Sequence, residues 1–195
     1  PFNGEWGPAD VLSEAGASNP SLAVDEADNA IAIWVRDGFI ESTTRLSGSW
    51  NSAVVISEAN SNNPHLAISN SGIAVIAWHC IDSGIDTIAT RVLTLKNNTW
   101  GLPKNIFEGN ATFQHDYPKI AIDDKGNATV GWVRYNLFNG NSYQNVQILI
   151  SSLCKDAIAW TPPAVLSGKG LRKPADLMIK LRSDSNGDIL AVWTN

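Results

Sequence analysis

The stretch Asn29-Ala-Ile-Ala-Ile-Trp-Val-Arg36 has no wet side. Successive side chains of a strand point to opposite faces, so Ala30, Ala32 and Trp34 face one way and Ile31, Ile33 and Val35 the other. Both faces are apolar. A sandwich strand ordinarily has one apolar and one solvated face, whereas a strand covered by a sheet on each side has this pattern. Radially packed sheets supply that environment. The stretch therefore predicts an all-β fold, a β-propeller of four-stranded antiparallel blades, over a sandwich or jelly roll.

The run recurs as Gly72-Ile-Ala-Val-Ile-Ala-Trp78, Asn127-Ala-Thr-Val-Gly-Trp132 and Asp188-Ile-Leu-Ala-Val-Trp193. Upstream of the first three copies stand Pro20-Ser-Leu-Ala-Val-Asp25, Pro64-His-Leu-Ala-Ile-Ser69 and Pro118-Lys-Ile-Ala-Ile-Asp123, each with 14 residues from Pro to Trp. In the last copy Pro174 lies 19 residues before Trp193. The eight tryptophans form the pairs Trp6/Trp34, Trp50/Trp78, Trp100/Trp132 and Trp160/Trp193. Self-similarity at such a period marks an array of supersecondary units. One propeller unit over residues 1–195 is expected, with about four repeats starting near 6, 50, 100 and 160 and the last incomplete.

Each repeat reads as four strands, in the first copy a (Ser21–Asp25), b (Ala30–Arg36), c (Phe39–Leu46) and d (Trp50–Ser57). Asp37-Gly38 between b and c is a two-residue hairpin signal, because a type I′ turn needs positive φ. Asp124-Lys-Gly-Asn127 and Ser183-Asp-Ser-Asn-Gly187 are turns between a and b. A further d-like strand is expected at Trp6–Ser13, giving 15 strands in all. Because closure removes sheet edges, the chain is either a four-bladed ring with one thin blade or part of a larger ring. The larger ring, completed by further blades or by a second copy in a homo-oligomer, is the expectation. The start at Pro1, inside a repeat, reads as a mature or excised product.

The pattern Trp…Pro-x-Leu-Ala-Val-Asp-x-x-Gly-Asn-Ala…Trp resembles the β-propeller repeats of large secreted or surface bacterial proteins. The resemblance covers the whole chain and is weakest in the last copy. It implies the fold and an extracellular or cell-surface location, and no settled activity. The sialidase Asp-box, Ser-x-Asp-x-Gly-x-x-Trp, is not met, since Ser183-Asp-Ser-Asn-Gly187 has Ser where the box has Asp. No Trp is followed by Asp, so the WD-type repeat is not met either.

Charge narrows the partners. A net charge of −5, with 14 basic residues scattered among 19 acidic ones, argues against nucleic acid as a partner. The apolar run Ile73–Trp78 is far shorter than the ~20 residues that cross a bilayer, so no membrane insertion is expected. Cys80 and Cys154 occupy unrelated repeat positions and read as two buried free thiols. Three histidines at no ligand spacing make no zinc site. Asp184, Asn186 and Asp188 alternate as in calcium loops but lack the downstream Glu. No metal and no cofactor is expected.

The tryptophans recur at fixed repeat positions and read as packing between blades. Function then falls to the loops. The segment from b-Trp to d-Trp lengthens through 16, 22 and 28 residues, which predicts growing b–c loops at Cys80–Gly84 and Tyr135–Gln144. In an antiparallel blade the b–c and d–a loops share one rim, and such rims carry binding sites. This rim gathers Arg36, Asp37, His79, Asp82, Asp86, His115, Asp116, Tyr117, Arg134, Tyr135, Arg172 and Lys173. The residues after the strand-a prolines, Ser21, His65, Lys119 and Ala175, start near the axis. The reading is a non-catalytic binding or adhesion module for a glycan or protein. The rivals are a propeller glycoside hydrolase, with Asp82, Asp86 and Asp116 as its carboxylates, and a ligand-free spacer of a larger surface protein.

Overall fold

The computed structural model describes residues 7–108, 112–138, 142–168, 178–184 and 186–194. All of its sheets are antiparallel. The first blade is β1 (Ser18–Val24), β2 (Ala30–Arg36), β3 (Phe39–Leu46) and an outer strand in two pieces, β4 (Ser49–Trp50) and β5 (Val54–Val55), both paired to β3. The second is β6 (Ser61–Ile68), β7 (Ile73–Asp82), β8 (Ile85–Thr94) and the split outer strand β9 (Thr99–Trp100) and β10 (Lys104–Glu108). The third is β11 (Gln114–Ile122), β12 (Ala128–Phe138), β13 (Ser142–Leu153) and β14 (Ala164–Val165). An a–b pair follows, β15 (Lys180–Ser183) and β16 (Ile189–Val192). The inner strands pack in sequence, β1 on β6, β6 on β11 and β11 on β15.

Three a–b turns repeat one carboxylate device, and in the second blade Ser69 Oγ takes its place, accepting the Ile73 amide at 3.2 Å. The Asp25 carboxylate accepts the Ala27 and Asn29 amides at 2.9 Å and the Asn29 side-chain amide at 2.9 Å. Asp123 does the same with Asn127, at 2.8 Å from its backbone and 2.7 Å from its side chain. The residue before each strand b partner, Asp28, Gly72, Gly126 or Gly187, has positive φ, which glycine and aspartate tolerate best. Asp184 accepts the amides of Asn186 and Asp188 at 2.9 Å. The alternating Asp184–Asn186–Asp188 string is thus spent on a turn.

A second device sits at the opposite end of strand a. Each of the first three a strands carries a bulge just before or at its proline, and the residue preceding that proline, Asn19, Asn63 or Tyr117, has φ near +50°. The Asn19 side-chain amide donates to Asn62 Oδ1 at 2.8 Å, and the Asn63 amide donates to Asp116 Oδ1 at 2.8 Å. The bulge of one blade is therefore riveted to the bulge of the next. At the a–b end Asn70 bridges the Glu26 amide at 3.1 Å and Asp124 at 3.0 Å.

The apolar cores lie between blades. One joins Ile31, Ile33 and Ile40 to Leu66, Ile76 and Trp78; the next joins Val75, Ala77 and Ile88 to Ile120, Val130 and Trp132; the third joins Val133 and Ile148 to Ile179, Leu181 and Trp193. Strand β7 gives one face, Ile76 and Trp78, to the first junction and the other, Val75 and Ala77, to the second, as its doubly apolar pattern requires. The tryptophans at the ends of b are the packing residues expected, with Trp34, Trp78 and Trp132 all buried.

Among the described residues the outer positions of the first and last units are uncovered. Leu66 and its repeat equivalents Ile120 and Leu181 are buried against the preceding blade, but Leu22 is 63% exposed. At the other end Leu190 and Val192 are 64% and 68% exposed, where their equivalents Ile31 and Ile33 are covered.

Four expectations need correction. Residues 7–13 form no strand, and Trp6 lies outside the described residues. Two outer strands break into short pieces, so the strand count differs from that expected. Pro174 and Ala175 lie outside the described residues, and the β15–β16 register puts Ile179 and Lys180 in their repeat positions, again 14 residues from Pro position to Trp. Of the two free thiols, Cys80 is buried but Cys154 is exposed.

Truncating equivalent leucines tests that exposure. Leu66→Ala should cost about 2–5 kcal/mol in urea unfolding, the usual range for a buried leucine, and Leu22→Ala no more than about 0.5 kcal/mol. Equal losses would mean that the first blade is covered in solution.

Candidate functional site

The b–c segments that lengthen along the chain are hairpin arms rather than loops. Cys80, Ile81 and Asp82 continue β7 and pair with Thr87, Asp86 and Ile85 across a Ser83-Gly84 turn. Asn136, Leu137 and Phe138 continue β12 and pair with Gln144, Tyr143 and Ser142. Strand b grows from 7 to 10 to 11 residues and strand c from 8 to 10 to 12. Alternating polar and apolar residues on both limbs let the ladder run on past the rim. The d–a links do share that rim, since Ser61 donates to Gly38 O at 2.8 Å and Ile81 to Asn60 O at 3.2 Å.

Seven of the rim residues meet where the second and third blades join. His79 Nε2 hydrogen-bonds Asp86 Oδ1 across the second arm at 2.6 Å. Beneath it His115 is fully buried; its Nδ1 accepts the Trp132 indole N–H at 2.9 Å and its ring lies 4.2 Å from that of Phe107. With Nδ1 accepting, Nε2 carries the proton. Among the described residues that N–H has no acceptor, nor does the buried Nε–H of Arg134. Arg134 lies 4.8 Å over the Phe113 ring and donates through Nη2 to Gln147. Burial and the Arg134 charge push the His115 pKa down to about 3.

The aromatic part is a trio. Tyr135 meets Tyr143 edge to face, with centroids 5.4 Å apart. Burial raises the Tyr135 phenol pKa, helped by the charges of Asp116 and Asp86. Burial also raises Tyr117, with Asp116 and Tyr143 adding to it. Tyr117 is a strained choice: asparagine takes left-handed φ readily and a bulky residue does not, yet it stands at φ 55° where the earlier blades use Asn19 and Asn63. Tyr117 thus stands where the earlier blades carry the rivet amide, half-buried against the core of the third junction.

The remaining candidates lie elsewhere or are already engaged. Arg36 is bound to Glu41 through Nε at 3.0 Å, and Glu41 also accepts the Trp34 indole at 2.7 Å, so this arginine serves the first blade's core. The Arg36 guanidinium holds Glu41 below the usual carboxylate range. Asp37 and Asp82 are exposed at hairpin turns. Asp116 is tied to Asn63 and to the Tyr117 amide. Arg172 and Lys173 lie outside the described residues. The sequence reading missed Tyr143, Gln147 and Asn63. The alternation in Ser142-Tyr-Gln-Asn-Val-Gln-Ile148 was the signal for the first two, and the recurring Asn-Pro step for the third.

No family model and no curated protein matches the chain. Solved structures share its fold. The α-L-arabinofuranosidase Arb93A of Fusarium graminearum superposes with a TM-score of 0.62 at 10% identity, over 93% of this chain and 57% of its own. The α-L-arabinanase of Penicillium chrysogenum gives 0.56 at 15% identity, over 89% and 58%. The Hadza microbial sialidase Hz136 gives 0.53 at 10% identity, over 74% and 36%. The chain thus spans less than two thirds of each of these proteins, and the likeness establishes the propeller fold.

Two neutral histidines, His115 buried and His65 half-buried, should make the protein acid-labile. His65 hydrogen-bonds the Ile120 amide through Nδ1 at 3.2 Å, and burial, with Lys119 and Arg182, pushes its pKa down to about 4. Both His65 and His115 thus have folded-state pKa values below the ~6.5 of an unfolded histidine. Their contribution is complete above that value and is lost as pH falls towards 4 and 3. The urea midpoint should fall between pH 7 and pH 4.5, and the double change of His65 and His115 to Gln should flatten that slope. An unaltered slope would place the acid sensitivity elsewhere.

Proposed function

We propose that this chain is a non-catalytic glycan-binding module of a secreted or surface-displayed protein, and that its site is the blade 2–blade 3 rim. One observation carries the reading: Tyr117, Tyr135 and Tyr143 gather beside Asp86, Asp116, His79 and Arg134 at the base of two raised arms. A sugar ring offers an apolar C–H face and a fringe of hydroxyls. Aromatic rings suit the first, and planar carboxylate and guanidinium groups suit the second. The resemblance to secreted and surface propeller repeats supports the location.

A glycoside hydrolase is the second reading, and the fold shared with an arabinofuranosidase and an arabinanase favours it. A hydrolase needs two carboxyl groups about 5–10 Å apart, one of them free to act as an acid. Asp86 and Asp116 both act on Tyr135, but each already accepts hydrogen bonds, from His79 and from Asn63. Carboxylates engaged in this way suit binding better than proton donation.

The two readings separate in one experiment. On a glycan array the chain should show saturable binding. Tyr143→Ala, at a partly exposed position, should weaken it by about tenfold, a loss of ~1.4 kcal/mol. No sugar should be released from arabinan, xylan or sialyl-lactose on long incubation. Release that disappears in Asp86→Asn or Asp116→Asn would replace binding by catalysis, and silence on every glycan would remove both.

A further inference from the structure

The inner strands leave a concentration of cations at the axis, beside the rim cluster and distinct from it. A cavity of about 340 Å³ opens at the strand-a starts, lined by His65, Tyr117, Lys119, Lys180 and Arg182 among others. Among the described residues no acidic side chain lines it. The rest of the rim is mixed in charge, and the chain as a whole is acidic, at −5. Three cations and a histidine around one hollow therefore run against the composition of the protein.

Their partners are missing from the described residues. Lys119, Lys180 and Arg182 take part in none of the ion pairs there, and Lys119 makes no side-chain hydrogen bond. Lys119 is half-buried between the third blade and the a–b pair, and burial lowers its pKa. Among the described residues the opposing charge that acts on it is Asp116, which is committed to Asn63 and the Tyr117 amide. A partly desolvated ammonium without a counter-charge is costly. His65 adds a donor, because its Nδ1 accepts the Ile120 amide and Nε2 then carries the hydrogen. Lys119 and Arg182 both act on that ring, which sets the groups around a common space. Among the described residues every charged group lining the hollow is a donor, and an oxyanion is the complementary species.

We propose that this mouth of the central channel is an oxyanion site, and that the rim ligand is a glycan whose carboxylate or sulfate group sits on Lys119, Arg182 and His65 Nε2–H. The second half rests on the glycan reading of the rim; the first does not. Tyr117 lines the cavity and also belongs to the aromatic trio, so one ligand can span both. Small aliphatic or hydroxylic residues fill the equivalent places in the first blade, Ser21 and Ala23, which confines the site to the later blades.

The test is calorimetric titration of the full chain with sodium sulfate against sodium chloride at matched ionic strength. Matched acidic and neutral oligosaccharides follow. Sulfate should bind saturably at one site and move the His65 Nε2 resonance. Lys119→Met should weaken it by about tenfold, Arg182→Gln should weaken it less, and Lys104→Met, on another face, should leave it unchanged. Should Lys119→Met fail to fold, the exposed Arg182 carries the test. An effect of sulfate no larger than that of chloride, or full binding by folded variants of Lys119 and Arg182, overturns the site. Neutral oligosaccharide bound while sulfate is silent leaves the rim reading standing and removes this inference. Sulfate bound while acidic and neutral sugars bind alike, or not at all, keeps the oxyanion site and removes the acidic-glycan ligand.

Discussion

A strand b that is apolar on both faces needs a sheet on each side, and the rest of this structure follows from that need. No blade has a core of its own. Ile31 and Ile33 are buried only because the second blade brings up Leu66 and Trp78, and Val75 and Ala77 only because the third brings Ile120 and Trp132. The stability of each blade is therefore a property of its neighbours, as in other repeat arrays. The same need explains the uncovered first and last units among the described residues. Leu22 at one and Leu190 with Val192 at the other are core residues by repeat position and surface residues by circumstance.

Two amide rivets at each of the first two junctions fix how those blades meet. Apolar packing alone is non-directional, and wedges held only by it can slide along the strand direction. The Asn62–Asn19 and Asp116–Asn63 contacts at one end of strand a, with Asn70 at the other, set the register. Registered blades place the bulges, and the bulges place the rim. The third blade departs from the pattern by putting Tyr117 where the amide should be. The departure costs backbone strain at φ 55°, which asparagine would bear more readily. Strain at a rim of otherwise regular repeats points to a local role.

Much of this was legible in the residues. Strands b and c of the first blade, Ala30–Arg36 and Phe39–Leu46, fall where the alternation and the Asp37-Gly38 turn put them. The packing role of the tryptophans follows from their fixed spacing. Other features turn on pairings that one strand's sequence does not contain. Cys80–Gly84 resembles a loop until Ile85 and Asp86 are seen opposite it, because a hairpin limb is defined by its partner. Arg36 resembles a free rim cation until Glu41, opposite Trp34 in the register, claims it. In the fourth repeat only the start of strand a differs from the reading, since the 14-residue spacing points to Ile179 and not to Pro174. Spacing constrains the ladder, whereas proline at a strand start is merely tolerated.

Departures from the plain repeat gather in one sector. The first blade has the shortest b–c hairpin, with its Arg36 and Glu41 turned inward, and Ser21 and Ala23 at the axis. The second and third raise longer arms and place His65 and Lys119 at the axis, and the a–b pair adds Lys180 and Arg182. Arm length and axial charge are set by different strands, so neither dictates the other through packing. Both change while the turn device at Asp25, Asp123 and Asp184 stays constant. A scaffold held by repeated turns and rivets can vary its rim and its axis independently. That both vary together, on the same side of the molecule, is the arrangement expected where a ligand reaches from the arms to the channel.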